Sequence, residues 1–191
     1  MSSFDREKWN KKFETMPDLL APREPSTLVK EFYTKAPGKK ALDLACGGGR
    51  HTLFLSQKGF SVDSVDISKV ALSKLKPKVD ESLVNLIEHD LDSYAITKAY
   101  DFIVKTNYLD RALIERAKQK LSFNGILVIE TYMKDPKNEK KDSNPDFLLE
   151  KEELKTFFDD RFAILEYSEF WNESYEKYRM MKQGIAVKRV N

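Results

Sequence analysis

Short apolar runs alternate with amphipathic stretches through the middle of the chain. Residues 40–45, 61–66, 84–89, 100–105 and 126–132 are brief and rich in aliphatic or aromatic side chains, which predicts five strands. The segments between several of them carry helical spacing. Residues 51–58 form one such segment, closed by Gly59. Ser68 caps a second over 69–76, where Pro77 blocks continuation. Asp110 caps a third through Lys120, stopped at Asn124-Gly125. Buried strands separated by helices predict a parallel sheet covered on both faces.

The pattern changes after Tyr132. Residues 134–144 (KDPKNEKKDSN) are polar and are expected as a surface loop. A helix is expected over 151–158, with Leu154, Phe157 and Phe158 inward. Residues 162–171 and 181–190 read as long strands joined by a polar turn at 172–177, most simply an antiparallel hairpin at the end of the sheet. Ahead of the core, residues 4–13 are helical in pattern, 21–25 are a linker, and Ser26 caps a helix through Lys35. A single domain over 1–191 is therefore expected, with a helical arm at 1–38 and an α/β core at 39–191. The sheet does not need the arm, so the arm is free to cover something.

Composition narrows the partners. The formal net charge is +2, from 33 basic and 31 acidic side chains, so no broad field draws the chain to nucleic acid or an anionic membrane. The lysines around 134–141 are interspersed with acids and read as a solvated face. Cys46 is the single cysteine, which excludes an intrachain disulfide and suits a reducing compartment. The first ten residues lack the apolar core of a signal peptide, and the run Ile126-Leu-Val-Ile129 is far too short to span a membrane. A cytoplasmic protein is the expectation.

The chemistry concentrates in Ala41-Leu-Asp-Leu-Ala-Cys-Gly-Gly-Gly-Arg50, an apolar strand running through three glycines into a helix. Glycine lets the backbone turn sharply and approach a ligand, and the helix start presents unpaired N–H groups. A nucleotide-type cofactor site fits this order better than an empty turn. The dinucleotide fingerprint fails in both registers: counted from Gly47 the sixth position is Thr52, and from Ala45 it is Arg50. Asp66 ends the second strand, placed to accept ribose hydroxyls, and Asp90 follows the third.

Asp-x-x-x-Gly-x-Gly, here Asp43 to Gly49, resembles the first motif of class I S-adenosylmethionine-dependent methyltransferases, with Ala45 where that family usually has glycine. The resemblance covers residues 39–132 well. Asp-Leu-Ala-Cys-Gly-Gly-Gly-Arg-His with Tyr-Asp-Phe-Ile is similar to the small bacterial enzymes of the tellurite-resistance and thiopurine methyltransferase group. The segment at 147–158, Trp9-Asn-Lys-Lys-Phe13 and Pro22-Arg-Glu-Pro-Ser26 resemble that group too. The resemblance implies a Rossmann-like, mostly parallel seven-stranded sheet with a C-terminal antiparallel hairpin and helices on both faces. It implies S-adenosyl-L-methionine as cofactor and S-adenosyl-L-homocysteine as product.

It also implies roles for particular residues. Asp43, Ala45, Cys46, Gly47 and Gly49 would shape the cofactor loop. Asp66 would hold the ribose, Ile67 the adenine face, Asp90 the adenine amino group, and the Leu91 backbone the ring. Thr106 lies where donor and acceptor meet, beside Asn107 and Tyr108. Those three either orient the acceptor or form an ordinary loop. Arg23 would pair with the methionine carboxylate. Trp9 either stacks on the ligand or anchors the arm. Arg50 either holds a carboxylate or lies on the surface, and Tyr132 lines the acceptor pocket. His51 is expected as a solvated residue of the helix start, His89 as locally packed, and Cys46 as a semi-buried filler. No catalytic dyad and no metal are expected, because a sulfonium already carries an activated methyl group. A small-molecule acceptor leads. An RNA or protein acceptor, or a non-catalytic cofactor-binding module, is the alternative. The oligomeric state is left open.

Overall fold

The computed structural model describes residues 3–173 and 176–191. The apolar segments become strands because their alternating side chains can be buried on two faces at once. β1 (Lys40–Leu44), β2 (Ser61–Asp66), β3 (Val84–Glu88), β4 (Tyr100–Thr106) and β5 (Leu121–Tyr132) pair in parallel. β7 (Met181–Arg189) runs antiparallel to β5 and to β6 (Phe162–Trp171), which completes a seven-stranded sheet in the order β3-β2-β1-β4-β5-β7-β6. The chain first winds outward from β1 to β3 and then returns to β4 on the other side of β1. That reversal opens a crevice at the carboxyl ends of β1 and β4, where open α/β sheets take ligands.

Two apolar layers hold the sheet. On one face Leu42, Leu44, Ile103, Leu127 and Ile129 pack under α5 (Arg111–Gln119) and α6 (Glu153–Thr156), through Leu113, Ile114, Ala117 and Leu154. On the other, Ala41, Val62, Phe102, Val104 and Val128 pack under α2 (Thr27–Phe32) and α3 (Arg50–Gln57), through Leu28, Val29, Phe32 and Leu55. α4 (Lys69–Leu75) sets Leu72 and Leu75 against Cys46. The helix that follows Ser26 is therefore a layer of the core. The part of the arm that lies outside the two main layers is α1 (Ser3–Thr15) with the 3-10 turn Pro17–Leu20.

Several expectations need correction. β5 starts at Leu121 and not near 126, running through a register shift opposite Tyr100 and Phe102. α6 covers only Glu153–Thr156, because Glu152 enters it with φ 59°. The polar segment at 134–144 is not all surface. Asn138 is buried, its amide donating to the Met133 carbonyl at 2.8 Å and accepting from the Met181 N–H at 2.7 Å. One short polar side chain there satisfies two backbone groups that water cannot reach. Part of the expected turn at 172–177 (residues 174 and 175) lies outside the described residues.

Candidate active site

The glycine loop begins where β1 ends. Ala45 turns the chain with φ 59°, the Cys46 N–H donates to the Val65 carbonyl at 3.1 Å, and the Gly49 N–H closes onto the Cys46 carbonyl at 2.8 Å. Gly49 is required twice over. It has φ 78°, and a Cβ there would lie 2.4 Å from a Leu75 methyl. Gly47 also has positive φ, 51°, but a Cβ on it would meet only Phe13 Cζ, at 4.0 Å. The loop is thus packed from beneath at Gly49 and faces the arm at Gly47.

Asp43 is turned into the fold. Its Oδ2 accepts from the Thr52 N–H at 3.0 Å and the Thr52 hydroxyl at 2.7 Å, which fixes the first turn of α3 against β1. It is 1% exposed, and burial pushes its carboxyl up to about 7 despite the Thr52 bonds. Asp66 reaches the loop from the next strand. Its Oδ2 accepts from the Gly47 N–H at 2.8 Å and its Oδ1 from the Ser68 N–H at 2.9 Å. Burial raises this carboxyl as well, against those backbone bonds. The Ile67 N–H also favours this carboxylate, which still leaves it capacity to accept from a hydroxyl. Asp90 accepts from the Asp92 N–H at 3.0 Å, while Arg116 donates to the Leu91 carbonyl at 2.6 Å. Leu91 and Ile67 are buried beside these acids.

The arm is stitched over this end. Asn10 Oδ1 accepts from the Ser68 hydroxyl at 2.7 Å and the Val70 N–H at 3.3 Å, and Arg6 pairs with Glu88 at 3.8 Å. Phe13, Leu20 and Ala71 form a small apolar cluster with Trp9 at its margin. The Trp9 ring lies 5.6 Å from the Phe13 ring under the Lys12 ammonium, the arrangement of an anchor. Arg23 donates to the Asp18 carbonyl at 2.8 Å, folding the linker onto its own 3-10 turn.

The other half of the crevice is built from charged side chains. Arg50 pairs with Glu173 at 3.2 Å. Lys182, 2% exposed, pairs with Glu176 at 3.2 Å and lies 4.9 Å from the centroid of the Tyr132 ring. The Tyr132 hydroxyl also donates to Glu176. Glu130 is buried on the same strand, accepts from the Ser26 hydroxyl, and is raised by desolvation against that bond and the nearby Lys182 and Arg50. Thr106 is buried at the end of β4. Asn107 takes φ 58° and donates its N–H to the Glu130 carbonyl at 2.8 Å, and the Tyr108 hydroxyl donates to Asp92 at 2.9 Å.

His51 corrects the reading of a solvated histidine. It is buried, and its Nε2 accepts from the Ser26 N–H at 3.3 Å, so it pins the start of α2 to α3. Burial, then Arg50 and Lys182, hold the ring well below its ordinary range, so it is neutral. His89 packs locally, edge-on to Tyr94 at 5.3 Å between ring centroids. Cys46 is buried. Burial pushes its thiol up, and Asp66 and Asp43 add to the effect, the opposite of activation by a helix start. Among the described residues no group of His, Cys, Asp and Glu is arranged to hold a metal ion, and no helix is long and apolar enough to cross a membrane.

Sequence reasoning read Ser26 only as a helix cap and passed over Lys105, Glu130, Lys182 and the glutamates that meet them. One signal was available. Lys105 and Glu130 are charged residues inside segments that otherwise read as fully buried strands, and such residues mark sites more often than surfaces.

Known proteins share this architecture. The family model of the tellurite resistance protein TehB matches residues 6–188. A probable S-adenosyl-L-methionine-dependent methyltransferase TehB of Haemophilus influenzae is 29% identical over 151 residues, which cover 72% of this chain and 50% of that protein. The chain thus spans about half the length of this curated relative. The crystal structure of TehB from Haemophilus influenzae superposes with a TM-score of 0.75 at 24% identity, over 96% of this chain and 66% of that one. Magnesium protoporphyrin IX methyltransferase from Synechocystis, solved with bound S-adenosylhomocysteine, gives 0.71 at 15% identity over 98% of both chains. The family model spans nearly the whole chain, and the protein belongs to the TehB tellurite resistance protein family.

Proposed function

We propose that this chain transfers the methyl group of S-adenosyl-L-methionine to a small-molecule acceptor and releases S-adenosyl-L-homocysteine. One observation carries the reading. The Asp66 carboxylate is fixed by the Gly47 and Ser68 N–H groups at the mouth of the glycine loop, with acceptor capacity left for a ribose hydroxyl. A Cβ at Gly47 would meet only Phe13, so the loop leaves space on the ligand side. The donor set is hard oxygen and backbone N–H, which suits a ribose and a carboxylate.

The sulfonium, when bound, supplies the activated methyl group. The remaining work is positional. Asp66 holds the ribose hydroxyls, Ile67 and the Leu91 backbone flank the base, and Asp90 takes its amino group. Ala45, Cys46, Gly47 and Gly49 present backbone to the methionine part, with Asp43 bracing the loop from behind and Arg23 on the arm side. Thr106, Asn107 and Tyr108 bound the acceptor at the end of β4, and Arg50 and Tyr132 face it from α3 and β5. Phe13 and its neighbours in the arm exclude water from the transfer line. Bringing donor and acceptor into line is the main source of rate in such a site.

Titration calorimetry tests the reading directly. Saturable binding of S-adenosylmethionine and S-adenosylhomocysteine is expected, together with turnover of the donor against a panel of thiols, amines, selenite and tellurite. Binding of NAD in place of both ligands would overturn it.

A further inference from the structure

Lys105 has no part in the roles assigned above, yet it lies under the middle of the crevice. Its Cα is in register with Leu44 of β1 and Ile129 of β5, one residue short of the turns that carry Ala45 and Thr106. It is 1% exposed. Its ammonium donates to the main-chain carbonyl of Tyr108 and lies 5.4 Å from the centroid of that ring.

The charges around it are few. From the start of α5, Asp110 favours the ammonium and Arg111 opposes it. The Asp110 carboxylate is itself engaged, by the Leu113 N–H at 3.0 Å and by Arg116 at 3.5 Å. The loop contributes the Tyr108 phenol, which burial and Asp110 push upward and so keep neutral. In register on either side, β1 and β5 present Leu44 and Ile129, which carry no charge. Desolvation therefore dominates, and the amine is brought down to about 7.

We propose that Lys105 makes this site discriminate by ligand charge: its ammonium weakens the hold on a sulfonium donor relative to the neutral thioether product, and its free amine does not. The proposal rests on the methyl-transfer reading. The two ligands differ by a methyl group and one positive charge, so most other contacts cancel in the ratio of their affinities. Lys105 stands one residue short of the turns at Ala45 and Thr106, so its charge reaches a cation held over those turns, and a change of about tenfold in that ratio is expected. Asp43 titrates in the same range and in the same direction, since its carboxylate favours the sulfonium at higher pH. A lysine variant separates the two groups.

The experiment measures dissociation constants of S-adenosylmethionine and S-adenosylhomocysteine at pH 6 and pH 8.5, for the unaltered chain and for Lys105→Met. At pH 6 the unaltered chain should hold the donor about tenfold less well, relative to product, than the variant does. At pH 8.5 the two proteins should agree. Equal ratios at pH 6, or the same offset at both pH values, would overturn the proposal. Should Lys105→Met not fold, Lys105→Gln is measured in the same way, and an offset in the affinity ratio at pH 6 that vanishes at pH 8.5 is again required. If neither ligand binds, the methyl-transfer reading itself falls. If both bind without this pH pattern, only the role of Lys105 does.

Discussion

Asp43 and Lys105 stand on neighbouring strands, and burial drives both toward neutrality from opposite sides. The carboxyl rises from 3.8 to about 7 and the ammonium falls from 10.5 to about 7. Their surroundings differ. Asp43 is answered by the backbone and hydroxyl of Thr52, nine positions on, whereas Lys105 meets a single loop carbonyl. The β1 end of the crevice is stitched by backbone N–H groups and a hydroxyl donating to Asp43 and Asp66, and the β4–β5–β7 end is built around the buried charged groups Lys105, Glu130 and Lys182. Neutral partners fix the glycine loop, while buried charges leave the other end sensitive to its ionic state.

The two groups act on stability in opposite pH windows. Asp43 binds its proton more tightly in the folded chain, so its contribution is full below about pH 4 and is lost as pH rises through 7. Lys105 gives up its proton more readily when folded, so its contribution is full above about 10.5 and is lost as pH falls through 7. Asp43→Asn removes the first window only. Urea denaturation should show the stability of the unaltered chain, relative to this variant, falling by about 4 kcal/mol between pH 4 and pH 8. Parallel profiles would mean that Asp43 titrates normally and that the contrast between the two strands is illusory.

Lys182→Met probes the other end. It leaves Glu176 without the ammonium it meets at 3.2 Å and removes the cation beside buried Glu130, so stability should drop by about 3 kcal/mol. Calorimetry should nonetheless find donor affinity within about twofold of the original (about 0.4 kcal/mol), because no bond of the glycine loop changes. A large loss of donor affinity would show that the two ends do not act separately. Asp66→Asn reverses this profile. Asparagine offers one acceptor oxygen where the Gly47 and Ser68 N–H groups each need one, which should cost about 1–2 kcal/mol of stability. The lost charge on the ribose hydroxyls should weaken donor binding by about 100-fold.

The same division explains what the sequence disclosed. β1, the glycines and α3 are consecutive, and the places of Asp66 at the end of β2 and Asp90 just beyond β3 were legible because each closes an apolar run. The hairpin of β6 and β7 was legible from its alternation and its polar turn. The burial of Glu130 and Lys182 was not, because it depends on β7 inserting between β5 and β6, some fifty residues beyond β5, and that of Lys105 was not, because it depends on β4 lying between β1 and β5. His51 looked solvated because a helix start usually is. Only the position of Ser26, fixed by α2 lying on the sheet, encloses it. Asn138 was hidden for the same reason, since its partners are Met133 and Met181.

The smallest expected effect asks whether the glycine loop is as open as its geometry implies. Gly47 and Gly49 share a motif and a positive φ, but only Gly49 has a side chain packed where its Cβ would go. Gly47→Ala keeps the N–H that Asp66 accepts and places its methyl against Phe13 at an ordinary contact distance. Its cost is then the left-handed backbone alone, about 1 kcal/mol, or a fall of about 3 °C in Tm. Gly49→Ala adds the clash with Leu75 to the same backbone term and should fall further. Were Gly47→Ala equally damaging, the ligand side of the loop would have to be filled by the protein itself. The β1 end would then be a packed turn, and the chemistry would have to be sought wholly among the buried charges of β4, β5 and β7.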